Sequence, residues 1–226
     1  MIPVTVPRRG VVSAALGVAL LLASGTAATA APAGSRVEEV PSRPAFVRLP
    51  DAPERPARAG QRLVNRSLLR TQPPGRLQVR LADGRRFRLG GDALLRLTGG
   101  GLDLQRGKII AWLTPAGRAG GPLRLRTRVA TASIEGTTVF VDASPERVKI
   151  FSWEGEVQVT TATGERFALA SGEELEWSEG RWRKPRRLRR AEAAERRRVS
   201  PLLNGFSSPM DTLPEIEKEL GLTPTR

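Results

Sequence analysis

A fifteen-residue stretch occurs twice in this chain. Residues 75–89 read GRLQVRLADGRRFRL and residues 155–169 read GEVQVTTATGERFAL, with eight identities at an offset of 80 (Gly75/Gly155, Gln78/Gln158, Val79/Val159, Ala82/Ala162, Gly84/Gly164, Arg86/Arg166, Phe87/Phe167, Leu89/Leu169). In both copies apolar residues alternate on either side of a small turn, the period-2 pattern of a half-buried strand pair. A two-residue Asp83-Gly84 turn would put Phe87 on the face opposite Val79. A three-residue loop, Ala82-Asp83-Gly84, pairs 79 with 87 and 77 with 89, so that all four apolar side chains share a face. Ala162-Thr163-Gly164 does the same in the second copy. Gly84 and Gly164 therefore read as residues that supply a left-handed backbone, ahead of a phosphate cradle.

The chain has no Cys, His or Tyr among its 226 residues. Disulfides, thiolate chemistry, imidazole metal sites and Ser-His or Cys-His nucleophile pairs are thereby excluded. The formal charge of +14 is unevenly distributed. Residues 62–128 hold fifteen Arg/Lys and three Asp, residues 129–180 hold three Arg/Lys and ten Asp/Glu, and residues 181–198 hold ten Arg/Lys and two Glu. This suggests a charge dipole with a basic tail attached.

Residues 1–30 read as a signal peptide: Arg8-Arg9, an apolar run from Val11 to Ala23, and Ala28-Thr29-Ala30 as a small-residue cleavage site. The run falls short of the about 20 apolar residues of a membrane span. An uncleaved anchor is the alternative, and either form exports the chain beyond it. Arg8-Arg9 also admits a twin-arginine signal, although Pro7 before the pair and the absence of Phe-Leu-Lys after it favour the general route. Residues 31–59, with six prolines and little periodicity, read as an extended, disordered linker. The expected organisation is thus a signal peptide at 1–30, a Pro-rich linker at 31–59, a β domain at 60–182, and a basic segment with a short C-terminal helix at 183–226. The mature protein is expected in the periplasm or secreted.

From Gln61 to Trp182 short apolar strands succeed one another between Gly, Asp and Ser-Pro turns: Ala93–Leu97, Leu102–Leu104, Ile109–Leu113, Leu123–Ser133, Thr138–Val141, Val148–Phe151 and Leu175–Trp177 join the two hairpins. The pattern predicts an all-β fold, a hairpin-rich roll or sandwich or a short solenoid. Four segments, in order, carry a family resemblance. Leu77–Gly84 is similar to the strand and Asp-Gly turn near the start of a FecR-type domain. Leu125–Val141, with Glu135-Gly136-Thr137, resembles that family's most specific signature. Val148–Val159 resembles the subsequent Glu-Gly turn, and Ala170–Glu173 the final glycine turn. The resemblance covers roughly residues 60–180. It implies an all-β extracytoplasmic domain without catalytic residues, used for protein contacts. The best-known FecR proteins are iron-siderophore signal transducers, in which a cytoplasmic anti-sigma segment and one membrane helix precede this domain. Here ten residues precede the apolar run, too few for a segment that holds a sigma factor.

Leu123–Thr131 alternates strictly, which places Arg124, Arg126 and Arg128 on the face opposite Leu123 and Leu125. Arg80, Arg86 and Arg88 likewise point away from the apolar face of the first hairpin. Six guanidiniums would form a basic face suited to phosphates or carboxylates, set against the default of a solvated sheet face. Pro185 at a first helical turn, with Arg186, Arg187, Arg189 and Arg190 around it, suggests a short basic helix. Such a helix would be a solvated tail, a contact to anionic envelope polymer, or a segment folded back on the acidic half of the domain. Its lack of an apolar face argues against membrane insertion, and the absence of Tyr stacking platforms argues against nucleic acid. Leu213, Ile216 and Leu220 share one face of a terminal helix capped by Asp211 or Thr212 and stopped by Gly221, a stripe that more often packs on its own domain. Glu173, Glu174 and Glu176, with Glu154 and Glu156, form the one carboxylate cluster. Glycoside hydrolysis would need two of them to flank a cleft, and turn and surface acids are the plainer reading.

The sequence therefore points to a non-enzymatic, exported binding or sensory module without cofactor or metal, whose partner is an envelope protein or anionic envelope polymer. The alternatives are an electrostatically anchored scaffold and, last, an enzyme acting on polysaccharide.

Overall fold

Both repeated hairpins adopt the register that their apolar residues require. Leu77 pairs with Leu89 and Val79 with Phe87 in the first copy, and Val157 with Leu169 and Val159 with Phe167 in the second. The loops close alike. Leu81 N–H donates to Arg85 O and Thr161 N–H to Glu165 O, with Gly84 at φ 89° and Gly164 at φ 88°, where a side chain would be strained.

The computed structural model describes Met1, residues 34–113 and residues 121–223; the signal-peptide segment 1–30 lies outside the described region apart from Met1. In chain order the strands are β1 (Arg36–Ser42), β2 (Ala45–Arg48), β3 (Arg55–Pro56), β4 (Leu68–Thr71), β5 (Arg76–Arg80), β6 (Arg86–Thr98), β7 (Gly101–Trp112), β8 (Leu123–Arg126), β9 (Ala130–Ile134), β10 (Thr138–Ala143), β11 (Arg147–Glu154), β12 (Val157–Thr161), β13 (Arg166–Leu169), β14 (Glu173–Ser178), β15 (Arg181–Trp182) and β16 (Arg186–Arg187). Three short helices follow among the described residues: α1 (Arg190–Val199), α2 (Pro201–Asn204) and α3 (Leu213–Glu219). Strand accounts for 49% and helix for 11% of the described residues, so the all-β expectation holds. All the described strands belong to one sheet, whose main path runs β13-β12-β9-β8-β7-β10-β11-β14-β15, with β16 also on β14, and branches at β7 through β6 to β4, β5, β1, β2 and β3. Every pairing is antiparallel except β7 with β8. Among the described residues no helix is long and apolar enough to cross a membrane.

The sheet is buried on both faces over part of its area. Its inner face carries the larger core, including Leu77, Val79, Phe87, Leu89, Ile109 and Val141. On the other face Ile110, Trp112, Phe151 and Trp153 form a second core with Leu188, Leu202, Leu203, Met210 and Ile216 of the C-terminal segment. Burying each large side chain contributes about 2–3 kcal/mol. The runs Ile109-Ile110-Ala111-Trp112 and Ile150-Phe151-Ser152-Trp153 explain this layer, since a strand apolar at successive positions requires cover on both sides.

Three expectations need correction. Residues 31–59 are not a disordered linker from Arg36 onward: β1 pairs with β5, β2 with β4, and Val37, Ala45, Val47 and Ala57 lie in the main core. The β region therefore begins well before residue 60. Leu123–Ser133 is not one strand either. The chain turns back at Thr127–Val129, where the Thr127 hydroxyl accepts from Ala130 N–H at 3.1 Å, so that β8 and β9 pair with each other. Pro185 precedes β16 and starts no helix; α1 begins five residues later. The segment from 183 on is no solvated tail but folds back on the domain, with Leu188 N–H donating to Gly172 O and Leu188 buried. The terminal stripe packs on its own domain as expected, with Ile216 fully buried and Leu213 and Leu220 beside it.

Candidate functional site

The ten arginines singled out by pattern separate into three environments. Arg88 is not on a solvated face: it is fully buried under the C-terminal segment. Its guanidinium donates to Gln78 Oε1 (2.7 Å), Leu202 O (2.9 Å), Leu203 O (3.1 Å) and Ser208 O (2.5 Å), and its carbon lies 4.2 Å from the Phe206 ring centroid. Burial lowers its pKa to about 10, with Glu39 and Asp211 opposing. Arg86 is engaged by Glu38 (3.2 Å) and Asp211 (2.6 Å), and Arg80 sits half-buried opposite it in the hairpin. Asp211 thus serves this ion pair instead of capping α3, whose N-cap is Thr212.

Arg124 and Arg126 do face solvent on β8, as the alternation predicts. Arg128, past the end of that strand, lies over the Trp177 ring and donates to Pro145 O. In the C-terminal segment Arg186 pairs with Glu174 (3.6 Å) and Glu192 (3.2 Å), and Arg189 with Glu192 (3.3 Å). Arg187 and Arg190 are exposed. The structure therefore does not gather the ten into one surface.

The carboxylate cluster is dispersed by its partners. Glu174 is buried among Lys149 (3.6 Å), Arg186 (3.6 Å) and Arg196 (2.6 Å). Glu176 accepts from Lys149 at 3.0 Å, which holds its carboxyl below the usual range. Glu173 caps the Ala170 turn by accepting from Ala170 N–H at 2.9 Å. Glu154 stands apart. Its buried carboxylate accepts from Thr138 Oγ1 at 2.9 Å, and Thr138 in turn contacts Thr212 Oγ1 at 2.7 Å. Burial raises its pKa to about 7 despite the Thr138 bond, and Glu219 and Glu215 of α3 add to the rise. Among the described residues no cluster of three or more His, Cys, Asp or Glu could hold a metal ion.

A sheet without an evident reacting pair, built from repeated hairpins and closed by a helical cover, is the geometry on which the sequence comparison bears. Residues 67–158 match the FecR protein family model. The FecR-like segment runs from the start of β4 into β12 and so includes β8 with Arg124 and Arg126 but excludes the C-terminal cover. Two crystal structures of candidate anti-sigma factors from Parabacteroides distasonis ATCC 8503 are also similar. One, at 20% identity and TM-score 0.44, covers 50% of this chain and 55% of its own. The other, at 19% and 0.47, covers 53% and 59%. The chain thus spans little more than half of those proteins. No curated protein matches it.

Sequence reasoning missed what lies over Arg88, Arg86 and Glu154. The signal was present in Ile110, Trp112, Phe151 and Trp153, which alternate onto the face that Arg88 shares, since Arg88 pairs with Ile110.

Proposed function

We propose that this chain is an exported, non-catalytic FecR-type module that acts in the cell envelope as a sensory or regulatory component by binding a protein or an anionic polymer. The observation that carries the reading is the FecR match over 67–158, whose described residues fall on paired strands of the sheet and the turns between them. Export rests on the pattern of residues 1–30: a basic start, an apolar run and a small-residue site. A scaffold anchored through its basic tail is the weaker reading, because Arg186, Arg189, Arg196 and Arg197 are already paired with Glu174, Glu192 and Glu217. A polysaccharide-cleaving enzyme is weaker still, because Glu174 and Glu176 are engaged by cations and Glu173 and Glu176 fall on opposite faces of β14.

Alkaline phosphatase, active only outside the cytoplasm, fused behind the full chain tests export. Activity that vanishes when residues 1–30 are deleted supports it, and activity indifferent to that deletion refutes it. Binding tests the second half. A photo-reactive residue in place of exposed Thr160 should trap an envelope component in intact cells, and E173Q/E176Q should leave that capture unchanged. Loss of capture in the double variant would favour the enzymatic reading.

A further inference from the structure

The pairings of eight strands, traced one to the next, draw a single line of side chains across the outer face of the sheet. Arg48 of β2 pairs with Leu68 of β4, and Leu68 with Arg96 of β6. Arg96 pairs with Asp103 of β7, and Asp103 with Arg126 of β8. Arg126 then pairs with Thr131 of β9, Thr131 with Thr160 of β12, and Thr160 with Arg166 of β13. Paired residues present their side chains on the same face, so Arg48, Arg96, Arg126 and Arg166 stand in one row. All four are exposed. At about 4.8 Å between strands the row is about 34 Å long, with its arginines about 10–14 Å apart. No ion pair among the described residues engages any of the four, and Asp103 is the one acid in the line. The neighbouring line differs: there Arg70 is held by Glu54 and Arg106 by Asp92.

One end of the row opens into a cleft of about 370 Å³ where Arg48, Arg66 and Arg96 converge, with Asp51 as its lone acid. Three non-glycine residues among those described have a left-handed backbone, and two of them, Asp51 (φ 56°) and Arg66 (φ 69°), line this cleft. A left-handed arginine is held there at a cost in backbone strain, and such strain gathers where a fold presents groups to a ligand.

The side chains between the arginines select the partner's chemistry. Thr131, Thr160, Ser133 and Gln158 offer hydroxyls and an amide, and they stand beside Arg124 and Arg126 through the same pairings. Protein interfaces need buried apolar or aromatic anchors, and the half-buried Leu68 is the one apolar side chain in the row. Sequence-tolerant binding of single-stranded nucleic acid needs aromatic platforms, which the row lacks. The row also crosses the strands instead of running along an edge, so an added peptide strand could not use it. Planar guanidiniums take carboxylates in forked pairs, while hydroxyls and amides suit a polyhydroxylated chain.

We propose that this outer face binds an anionic polysaccharide laid across the strands, with one carboxylate seated in the Arg48–Arg66–Arg96 cleft. The inference rests on the proposed binding role and names its partner. It can fail in purified protein without affecting export or regulation.

The test is the affinity of the purified full chain for polygalacturonate, against dextran, poly-L-glutamate and a single-stranded oligonucleotide as competitors of other classes. R96Q/R126Q should weaken polygalacturonate binding about tenfold. R187Q/R190Q removes the same charge from exposed tail positions and should change it by less than about threefold by loss of general attraction alone. D103N should tighten it. All five positions lie on the surface or half-exposed, and unchanged circular dichroism and melting would certify the fold. Equal weakening by the two double variants would reduce the row to general charge and overturn the proposal. So would tighter binding of poly-L-glutamate or oligonucleotide, or binding of neutral dextran as strong as that of polygalacturonate.

Discussion

Arg88 and Glu154 show how far a single side chain's role depends on residues distant in sequence. Arg88 donates to carbonyls of Leu202, Leu203 and Ser208, more than a hundred positions away. Removing it strands those carbonyls in a dry interior, so R88M should cost at least about 3 kcal/mol in a urea titration. R88K should recover less than half, because one ammonium lacks the fork that reaches all four acceptors. Glu154 makes stability depend on pH. Its pKa rises from 4.5 in the unfolded chain to about 7 in the fold. The folded state therefore binds the extra proton between those values, and the resulting stability is full below pH 4.5 and lost as pH rises through 7. E154Q keeps the acceptor for Thr138 and removes the titration. It should flatten the decline between about pH 5 and 8 and raise stability at the upper end by on the order of 3 kcal/mol, a result that denaturation at the two pH values would check. The alternation of the strand was enough to show that Arg88 points away from the main core. What covers it depends on Leu202 and Leu203, whose four-residue helix has no periodic signal of its own.

At the scale of elements, the hairpins were legible because their register is a local matter of turn and apolar alternation. The Thr127–Val129 turn was not, since Thr127 and Val129 continue the alternation and no Gly or Pro marks the reversal; a threonine hydroxyl supplies the turn instead. The six prolines of residues 31–59 mask the apolar alternation that β1 and β2 carry. Pro41 falls where β1 shifts register and Pro44 between strands, leaving Val37, Ala45 and Val47 free to alternate inward. The arginine row was beyond reach, for it needs seven pairings in sequence, four of them between residues twenty or more positions apart and one of those parallel. Glycines separate two kinds of constraint. A Cβ at Gly107 (φ 93°) would lie 2.2 Å from Ala93 Cα, whereas one at Gly164 (φ 88°) meets nothing within 4 Å. G164A should therefore cost about 1 kcal/mol from backbone strain alone. G107A should cost roughly 3 kcal/mol or more, as overpacking adds to the same strain. Thermal melts of the pair would separate the two; equal losses would place the whole effect in the backbone.

For the molecule as a whole, the C-terminal segment decides whether the sheet can stand in water. A chain ended after Gly180 would lay bare Ile110, Trp112, Phe151 and Trp153, a contiguous apolar face of the kind that drives association. It should bind a hydrophobic dye and elute as an aggregate, and a monomeric, cooperatively melting product would mean that the cover is dispensable. The charge asymmetry visible in composition is partly consumed by this closure, as Arg186, Arg196 and Arg197 meet Glu174 and Glu217. The outer row keeps its charge because nothing among the described residues folds back over it. The cover also fixes a timetable. Among the described residues Leu188 to Leu222 follow every strand, so β7, β10 and β11 emerge before the residues that seal their second face. A protein built in that order carries Ile110, Trp112, Phe151 and Trp153 uncovered until the C-terminal segment docks, so the last residues of the fold to be made are the ones that keep its most apolar face out of water.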